Sequence, residues 1–196
     1  MTAPERRGTR NPRTRQMLLD VTERLMLAEG YTAVGVRRVA REAGVAPALV
    51  LYYFATLDEL FLAVLRRRAD PEVERQARIE QSPYPLGALW AENSRRGSAL
   101  VAEFTALANH SEVFRAEFVA RAEQYRRAQF EALTKMIAEG SLDVGDAPPM
   151  AVVVLTTAIA HVLVNEKHLG LTEGHEETMA FVEKLLRRYD GPPRDR

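Results

Sequence analysis

The sequence predicts an all-α protein of about nine helices, and three observations support this. Apolar residues recur at helical spacing in nearly every segment of the 196-residue chain. Glycines, prolines and capping residues stand at the ends of those segments, where helices begin or end. No segment with the alternating pattern of a strand competes with them. We therefore expect a small three-helix head followed by a larger helical body.

The segment 36–54 predicts two short helices joined by a tight turn. Gly44 follows the first helix at the place where a left-handed residue ends it. Pro47 suits the first turn of the next helix, because it has a fixed φ and no backbone N–H. Such a helix-turn-helix can place its second helix in the DNA major groove. The inward faces comprise Val36, Val39, Ala40 and Ala43 in the first helix and Val50 and Phe54 in the second.

The flanking segments support the same interpretation. A helix of about residues 12–29 precedes the motif and ends at Gly30. After the motif, Thr56 and Glu59 have the spacing of a capping box. We expect the Thr56 hydroxyl to accept from the Glu59 amide, and Glu59 to reach back to the Thr56 amide. A fourth helix should follow and connect the head to the body.

These residues resemble the TetR/AcrR-type bacterial transcriptional regulators. The resemblance covers roughly the first third of the chain. It implies a helix-turn-helix DNA-binding head and a helical ligand-binding and dimerisation domain, and hence double-stranded operator DNA, a second copy of the chain and a small-molecule effector as partners. The matching pieces are Ala28-Glu-Gly-Tyr31, Val36-Arg37, Val39-Ala-Arg-Glu-Ala-Gly-Val45, Tyr53-Phe54 and Asp58-Glu-Leu60.

Departures from the family pattern affect the expected DNA contacts. Gly35 stands where the family often has a capping Ser or Thr, Leu51 where a phosphate-contacting Tyr is common, and Leu57 where a Lys is common. Fewer phosphate contacts are therefore expected from the recognition helix, and more from the arginines before it. The expected DNA-binding residues are Arg37, Arg38, Pro47, Ala48, Leu51, Tyr52, Tyr53 and Thr56.

Charge and composition agree with a DNA-binding head. The whole chain is neutral, with 27 basic and 27 acidic residues, but residues 1–54 hold nine Arg and five acidic residues. A basic head on an acidic body fits a DNA-binding protein with a separate regulatory domain. The chain has no cysteine, and no phosphate-binding glycine loop or catalytic constellation is visible. We therefore expect no enzyme and no cofactor. The alternatives are an effector-free helix-turn-helix protein and, last, an all-helical enzyme.

Four segments are expected along the chain. Residues 1–10 form a disordered basic arm, either a loose terminus or an arm that touches phosphates or the minor groove. Residues 11–56 form the DNA-binding domain, with the motif at 35–54, and residues 57–190 form the effector-binding and dimerisation domain. Residues 191–196 form a disordered tail.

The body contains one helix that is apolar nearly all round. The run Met150 to Val164 needs cover on more than one side, so the last two helices are the expected dimer interface. A buried central helix in a monomer is the alternative. About fifteen residues are too few to span a bilayer, so we expect a cytoplasmic protein without a membrane segment. Before this run, we expect one long helix through Leu86 and Leu107 and another that stops at Gly140.

Polar and aromatic residues interrupt the apolar stripes of the body and predict a pocket for an apolar small molecule with one or two polar handles. No metal site is expected, because a helix break near Gly170 separates His175 from His161 and His168. Arg66 to Arg68 should form a solvated face, with contact to the DNA backbone as the alternative. The expected ligand-binding residues are Trp90, Asn93, Gly97, Phe104, Tyr125 and His161.

Overall fold

The computed structural model describes residues 11–69, 79, 81–96, 99–140 and 142–191. Over these residues the chain is all-α, as the sequence predicted. It divides into two compact units at Arg67 and Arg68, so most of the fourth helix groups with the head and not with the body. The described helices are α1 (Pro12–Glu29), α2 (Val36–Glu42), α3 (Pro47–Tyr53), α4 (Leu57–Ala69), α5 (Pro85–Arg96), α6 (Ala99–Ala108), α7 (Glu112–Ala138), α8 (Pro149–Leu169) and α9 (His175–Asp190).

The first unit is built on α1, which has a defined start and end. The side chain of Asn11 accepts a hydrogen bond from the Arg13 amide at 2.9 Å, which satisfies one of the free amides of the first turn. Gly30 ends the helix with a φ of 84°, a conformation that favours glycine. A 3₁₀ turn, Tyr31–Ala33, then leads to α2. The core of this unit includes Leu18, Leu19, Val39, Val50, Leu60 and Val64, each at most 1% exposed.

The turn between α2 and α3 has the predicted chemistry. Gly44 adopts a φ of 66°, and the Val45 amide donates to the Ala40 carbonyl at 2.9 Å. This bond satisfies one of the carbonyls at the end of α2. Pro47 is the first residue of α3. Gly35 precedes α2 without a side-chain cap, as its lack of a side chain requires.

The capping box of α4 differs in one bond from the prediction. The Glu59 amide donates to the Thr56 hydroxyl at 3.1 Å, as expected. The Glu59 carboxylate, however, accepts from the Ala55 amide at 2.7 Å and not from the Thr56 amide. The Ala55 amide lies one residue before the helix cap and has no helical partner, so it competes for the same carboxylate.

Arg67 corrects the prediction of a solvated arginine face. Its guanidinium pairs with Asp20 and, at 2.6 Å, with Glu23 of α1. The Arg67 side chain is 20% exposed and that of Glu23 is 13% exposed. Arg66 and Arg68 are exposed. The middle arginine therefore joins α4 to α1 within the first unit, because its position on the helix points it inward.

The second unit packs around α5 and α8. Helix α5 lies against α8 and α9, and α7 packs against α6 and α8. Two helices stand where one long helix through Leu86 and Leu107 was expected, and Gly97 and Ser98 between them lie outside the described residues. The predicted arm 1–10 and residues 192–196 of the predicted tail also lie outside them. The core includes Leu86, Trp90, Leu133, Val153, Val182 and Leu186.

Helix α8 is longer than the apolar run that indicated it. It has 21 residues and a mean hydropathy of 1.5, so by length and composition alone it is long and apolar enough to cross a membrane. The apolar run Met150 to Val164 is by itself shorter than a membrane span, and the five residues after it bring the helix to that length. Only 17% of its apolar window is buried within one chain. Exposed apolar side chains on α8 and α9 include Met150, Val154, Leu155, Val162, Leu169, Met179, Phe181 and Leu185.

Candidate nucleic-acid interface and effector site

The outward face of α3 is apolar apart from one phenol. Leu51 is 47% exposed and Tyr52 is 46% exposed, and Pro47 and Ala48 one turn before them are also exposed. Val50 lies on the opposite, buried face and is 1% exposed. Residues 47 and 51, and residues 48 and 52, are four apart and therefore lie side by side in two rows. Four of the predicted DNA-binding residues thus share one exposed face.

Tyr53 does not belong to this face. It is 8% exposed, and its hydroxyl donates to the Asn11 carbonyl at 3.2 Å. Its ring meets the ring of Tyr52 edge-on, with centroids 5.4 Å apart. Tyr53 was expected among the DNA-binding residues, but its position next to the buried face of α3 turns it toward the start of α1. Its hydrogen bond there holds Asn11, the residue that caps α1.

The arginines of α2 divide into two groups. Arg38 pairs with Glu29 at 2.7 Å and with Glu42 at 3.2 Å. These two carboxylates hold the Arg38 side chain between the ends of α1 and α2. Arg38 is therefore not the open phosphate contact that the sequence suggested. Arg37 is exposed, and Arg41 is 67% exposed with its guanidinium 3.9 Å from Glu42. Arg37 and Arg41 are therefore the α2 cations best placed for an external anion.

Thr56 lies at the start of α4 and is exposed. Its hydroxyl oxygen accepts from the Glu59 amide at 3.1 Å. A hydroxyl that accepts one hydrogen bond can also donate one. The Thr56 hydroxyl can therefore donate to a phosphate while it caps the helix. Of the eight predicted DNA-binding residues, six remain on the exposed surface of the first unit, and Arg38 and Tyr53 are held by internal contacts.

In the second unit, Asn93 is the centre of a buried polar network. It is 1% exposed. Its carbonyl oxygen accepts from the Tyr125 hydroxyl at 3.1 Å and from the Gln129 amide at 3.0 Å. Its own amide donates to the Thr157 hydroxyl at 3.3 Å. The network joins α5, α7 and α8, and it brings together two of the predicted ligand-binding residues.

Gln129 and Thr157 were missed as site residues from the sequence. Gln129 is 2% exposed and lies one helical turn after Tyr125, so its side chain shares the face of that tyrosine. The sequence does contain a signal for it, because this glutamine follows an aromatic residue by four positions on the inward face of the helix. Thr157 carries a second signal, since it precedes His161 by four residues on α8.

The other predicted ligand-binding residues lie at different places. Trp90 belongs to the main core of the second unit. Phe104 forms a separate aromatic cluster with Phe114 and Phe118, at centroid distances of 5.6 and 6.3 Å. His161 is half-buried on α8, and this burial lowers its pKa below the ordinary value of 6.5. Gly97 lies outside the described residues.

His175 has a partner of a different kind. Its Nε2 atom lies 2.8 Å from the carboxylate of Glu166, which joins the start of α9 to the end of α8. Within the described parts of the chain, no group of three His, Asp or Glu side chains is placed to hold a metal ion. The recurrence of histidines at 161, 168 and 175 therefore corresponds to three separate environments.

Comparisons with known proteins find a family that the first unit resembles. The family model described as "Bacterial regulatory proteins, tetR family" matches residues 18–64. A curated relative, the HTH-type transcriptional activator FasR of Mycolicibacterium smegmatis, is 39% identical over 67 residues. That match covers 33% of this chain and spans 31% of the relative's length.

Solved structures extend the similarity to the whole fold. A TetR transcription regulator from Haloarcula marismortui has a TM-score of 0.69 at 21% identity, covering 90% of this chain and 98% of that one. GusR of Salmonella enterica has a TM-score of 0.74 at 12% identity, covering 92% and 95%. At these identities the structures show a common fold only. The activity of this chain must be inferred from its own residues.

Proposed function

We propose that this chain is a cytoplasmic transcriptional regulator of the TetR type that binds operator DNA as a homodimer, because its first unit matches the tetR family model over residues 18–64. The observation that carries the proposal is the outward face of α3, where Leu51 and Tyr52 are nearly half exposed. The turn before α3, closed by the hydrogen bond from the Val45 amide to the Ala40 carbonyl, fixes that face relative to the exposed Arg37 on α2. A helix presented in this way suits the major groove, with the arginines at the phosphates.

The homodimer is supported by the exposed apolar side chains of α8 and α9. So many exposed apolar side chains on two helices are unusual on a monomer and typical of an interface. Pairing α8 and α9 with their copies makes a four-helix bundle around a two-fold axis. Two recognition helices related by this axis require a pseudo-palindromic operator, with half-sites about one or two turns apart at roughly 34 Å per turn.

We further propose that a small apolar molecule releases the operator, so that the protein acts as a repressor. The polar network around Asn93 supplies the polar handles of an otherwise apolar interior. His161 lies four residues after Thr157 on α8, and burial lowers its pKa, which favours the neutral imidazole and an uncharged ligand. Helix α4 crosses the boundary between the two units and is the covalent route by which the body can move the head.

Thermodynamic linkage sets what the ligand must do. It must bind the DNA-free state more tightly than the DNA-bound state, and the operator must weaken ligand binding by the same factor. A coupling of about 1–3 kcal/mol is sufficient for clear release. An activator is the second candidate, and the name of the relative that is 39% identical over the helix-turn-helix region favours it. Transcription from the operator rises on deletion of a repressor and falls on deletion of an activator.

The proposal is tested by selecting bound sequences from random DNA and measuring affinity by gel shift at several salt concentrations. Arg37→Ala should weaken binding to all sequences alike and lower the salt slope by about one. Tyr52→Ala should weaken the selected operator by on the order of 1–3 kcal/mol and relax its sequence preference. Arg24→Ala, at an arginine whose side chain is 61% exposed on α1, is the matched control and should leave affinity unchanged. A chain that selects no sequence is not an operator-binding regulator.

A further inference from the structure

The recognition helix lacks the side chains that usually distinguish bases. Its seven residues are Pro47-Ala-Leu-Val-Leu-Tyr-Tyr53, and the tyrosines are its only hydrogen-bonding side chains. The Tyr53 hydroxyl is engaged by the Asn11 carbonyl at 3.2 Å inside the unit. One phenol, that of Tyr52, therefore remains on the outward face.

This composition excludes the common bidentate contacts from α3. Arg or Lys is needed to bind the two acceptors of guanine, and Asn or Gln to bind the acceptor and donor of adenine. The exposed face of α3 has none of these residues. A single hydroxyl distinguishes bases poorly, because it can both donate and accept.

The apolar surface of α3 matches one feature of the major groove. The C5 methyl group of thymine is the apolar group that a T·A pair presents there. Leu51, at 47% exposure, extends furthest among the aliphatic side chains of the face, and Pro47 lies one turn before it. Burial of a methyl group between such side chains is favourable, since it removes apolar area from water.

We propose that this protein reads its operator mainly through C5 methyl groups, with Leu51 and the adjacent Pro47 and Ala48 forming the methyl-contacting surface. The inference rests on the proposed operator binding and specifies its DNA target. Half-sites should contain thymines under α3, and 5-methylcytosine should substitute for thymine as a source of the methyl group. Arg37 and Arg41 supply affinity without sequence preference.

The test replaces each thymine of a selected half-site with deoxyuridine, one position at a time. Deoxyuridine keeps the O4 acceptor and the pairing with adenine and lacks only the methyl group. At one or two positions the full-length protein should bind roughly fourfold more weakly, the factor that burial of one methyl-sized group corresponds to. At the remaining positions affinity should be unchanged. Methylation of a cytosine placed at a sensitive position should recover affinity by a similar factor.

Two leucine variants connect this effect to α3. Leu51→Ala should remove most of the deoxyuridine penalty at one position, because the protein side of the contact is gone. Leu27→Ala, at a leucine 38% exposed on α1, is the matched control and should keep the full penalty. Circular dichroism checks that both variants fold, and the deoxyuridine series on the unmodified protein needs no variant.

The outcomes separate the two proposals. Selection of a defined operator without any deoxyuridine penalty overturns methyl readout and leaves operator binding intact. A penalty that persists unchanged in both Leu51→Ala and Ala48→Gly also overturns it, since the methyl would then be read elsewhere. Failure to select any sequence overturns operator binding, and methyl readout with it. A penalty present in the unmodified protein and in Leu27→Ala, but reduced in Leu51→Ala, supports the inference.

Discussion

The carboxylate of Asp190, the last residue of α9, accepts a hydrogen bond at 2.8 Å from the backbone amide of Leu86 at the start of α5. Its second oxygen accepts from the Gly87 amide at 3.0 Å. Asp190 is 5% exposed. A residue 104 positions away along the chain thus caps α5, and its negative charge lies at the positive end of the helix dipole.

Asp190→Ala should lower the free energy of unfolding by about 1–3 kcal/mol, because two helix-start amides lose their charged acceptor in a buried position. Thermal or urea unfolding followed by circular dichroism measures the change. Asp146→Ala, at an exposed aspartate in the loop before α8, should cost less than about 0.5 kcal/mol. Equal losses in the two variants would show that Asp190 contributes no special cap.

Leu155→Glu should convert the proposed dimer to a monomer. Leu155 is 59% exposed on α8, and a carboxylate at the centre of an apolar interface would be buried without a partner. Sedimentation equilibrium gives the mass directly. Val113→Glu, at a valine 61% exposed on α7, is the control and should stay dimeric. A dimer that survives Leu155→Glu and Phe181→Glu together would place the interface on another surface.

Asn93→Leu should weaken the binding of an apolar probe with one polar handle by roughly 3- to 10-fold, the value of one lost hydrogen bond. N-phenyl-1-naphthylamine suits this purpose, because it is neutral, has one N–H donor and fluoresces more strongly in apolar surroundings. Operator affinity without the probe should not change. Asn109→Leu, at an exposed asparagine between α6 and α7, should bind the probe as the unmodified protein does. Unaltered probe affinity in Asn93→Leu would separate the buried network from the effector site.

His161 should make the protein less stable as the pH falls. Burial lowers its pKa below 6.5 in the folded state, so the unfolded chain takes up the proton at higher pH than the folded chain does. The contribution of the neutral imidazole is therefore complete above about pH 6.5 and is lost progressively as the pH falls from there toward the lowered pKa. Unfolding measured from pH 7.5 downward should show a shallower loss for His161→Gln than for the unmodified protein. His168→Gln, at an exposed histidine on the same helix, should keep the original slope.

The α2–turn–α3 segment could be predicted from the sequence because its determinants are local. A glycine with positive φ, a proline in the first helical turn and apolar residues at helical spacing act within a few residues of one another. The exposed face of α3 follows from the same spacing. The ends of α8 were also readable, since Pro149 and Gly170 lie next to the residues they delimit.

Other parts of the site depended on contacts between distant segments. Arg37 and Arg38 are neighbouring arginines on α2, and Glu29 at the end of α1, together with Glu42, holds Arg38 internally. Tyr52 and Tyr53 are chemically identical neighbours, and only the packing of α3 against the start of α1 brings the Tyr53 hydroxyl to the Asn11 carbonyl. Successive side chains on a helix point about 100° apart. Which of two neighbours meets a given partner can therefore be known only when the packing partner is known.

By itself, the sequence determined the helical class, the helix-turn-helix and the family resemblance, because each depends on the order and spacing of nearby residues. The tertiary structure decided which polar groups are satisfied inside and which remain for a partner. It assigned Arg67 to the carboxylates of α1, Asn93 to a network across three helices and Asp190 to the start of α5. The physical reason is that a buried polar group must find its partner in space, and these partners lie from 32 to more than 100 positions away along the chain.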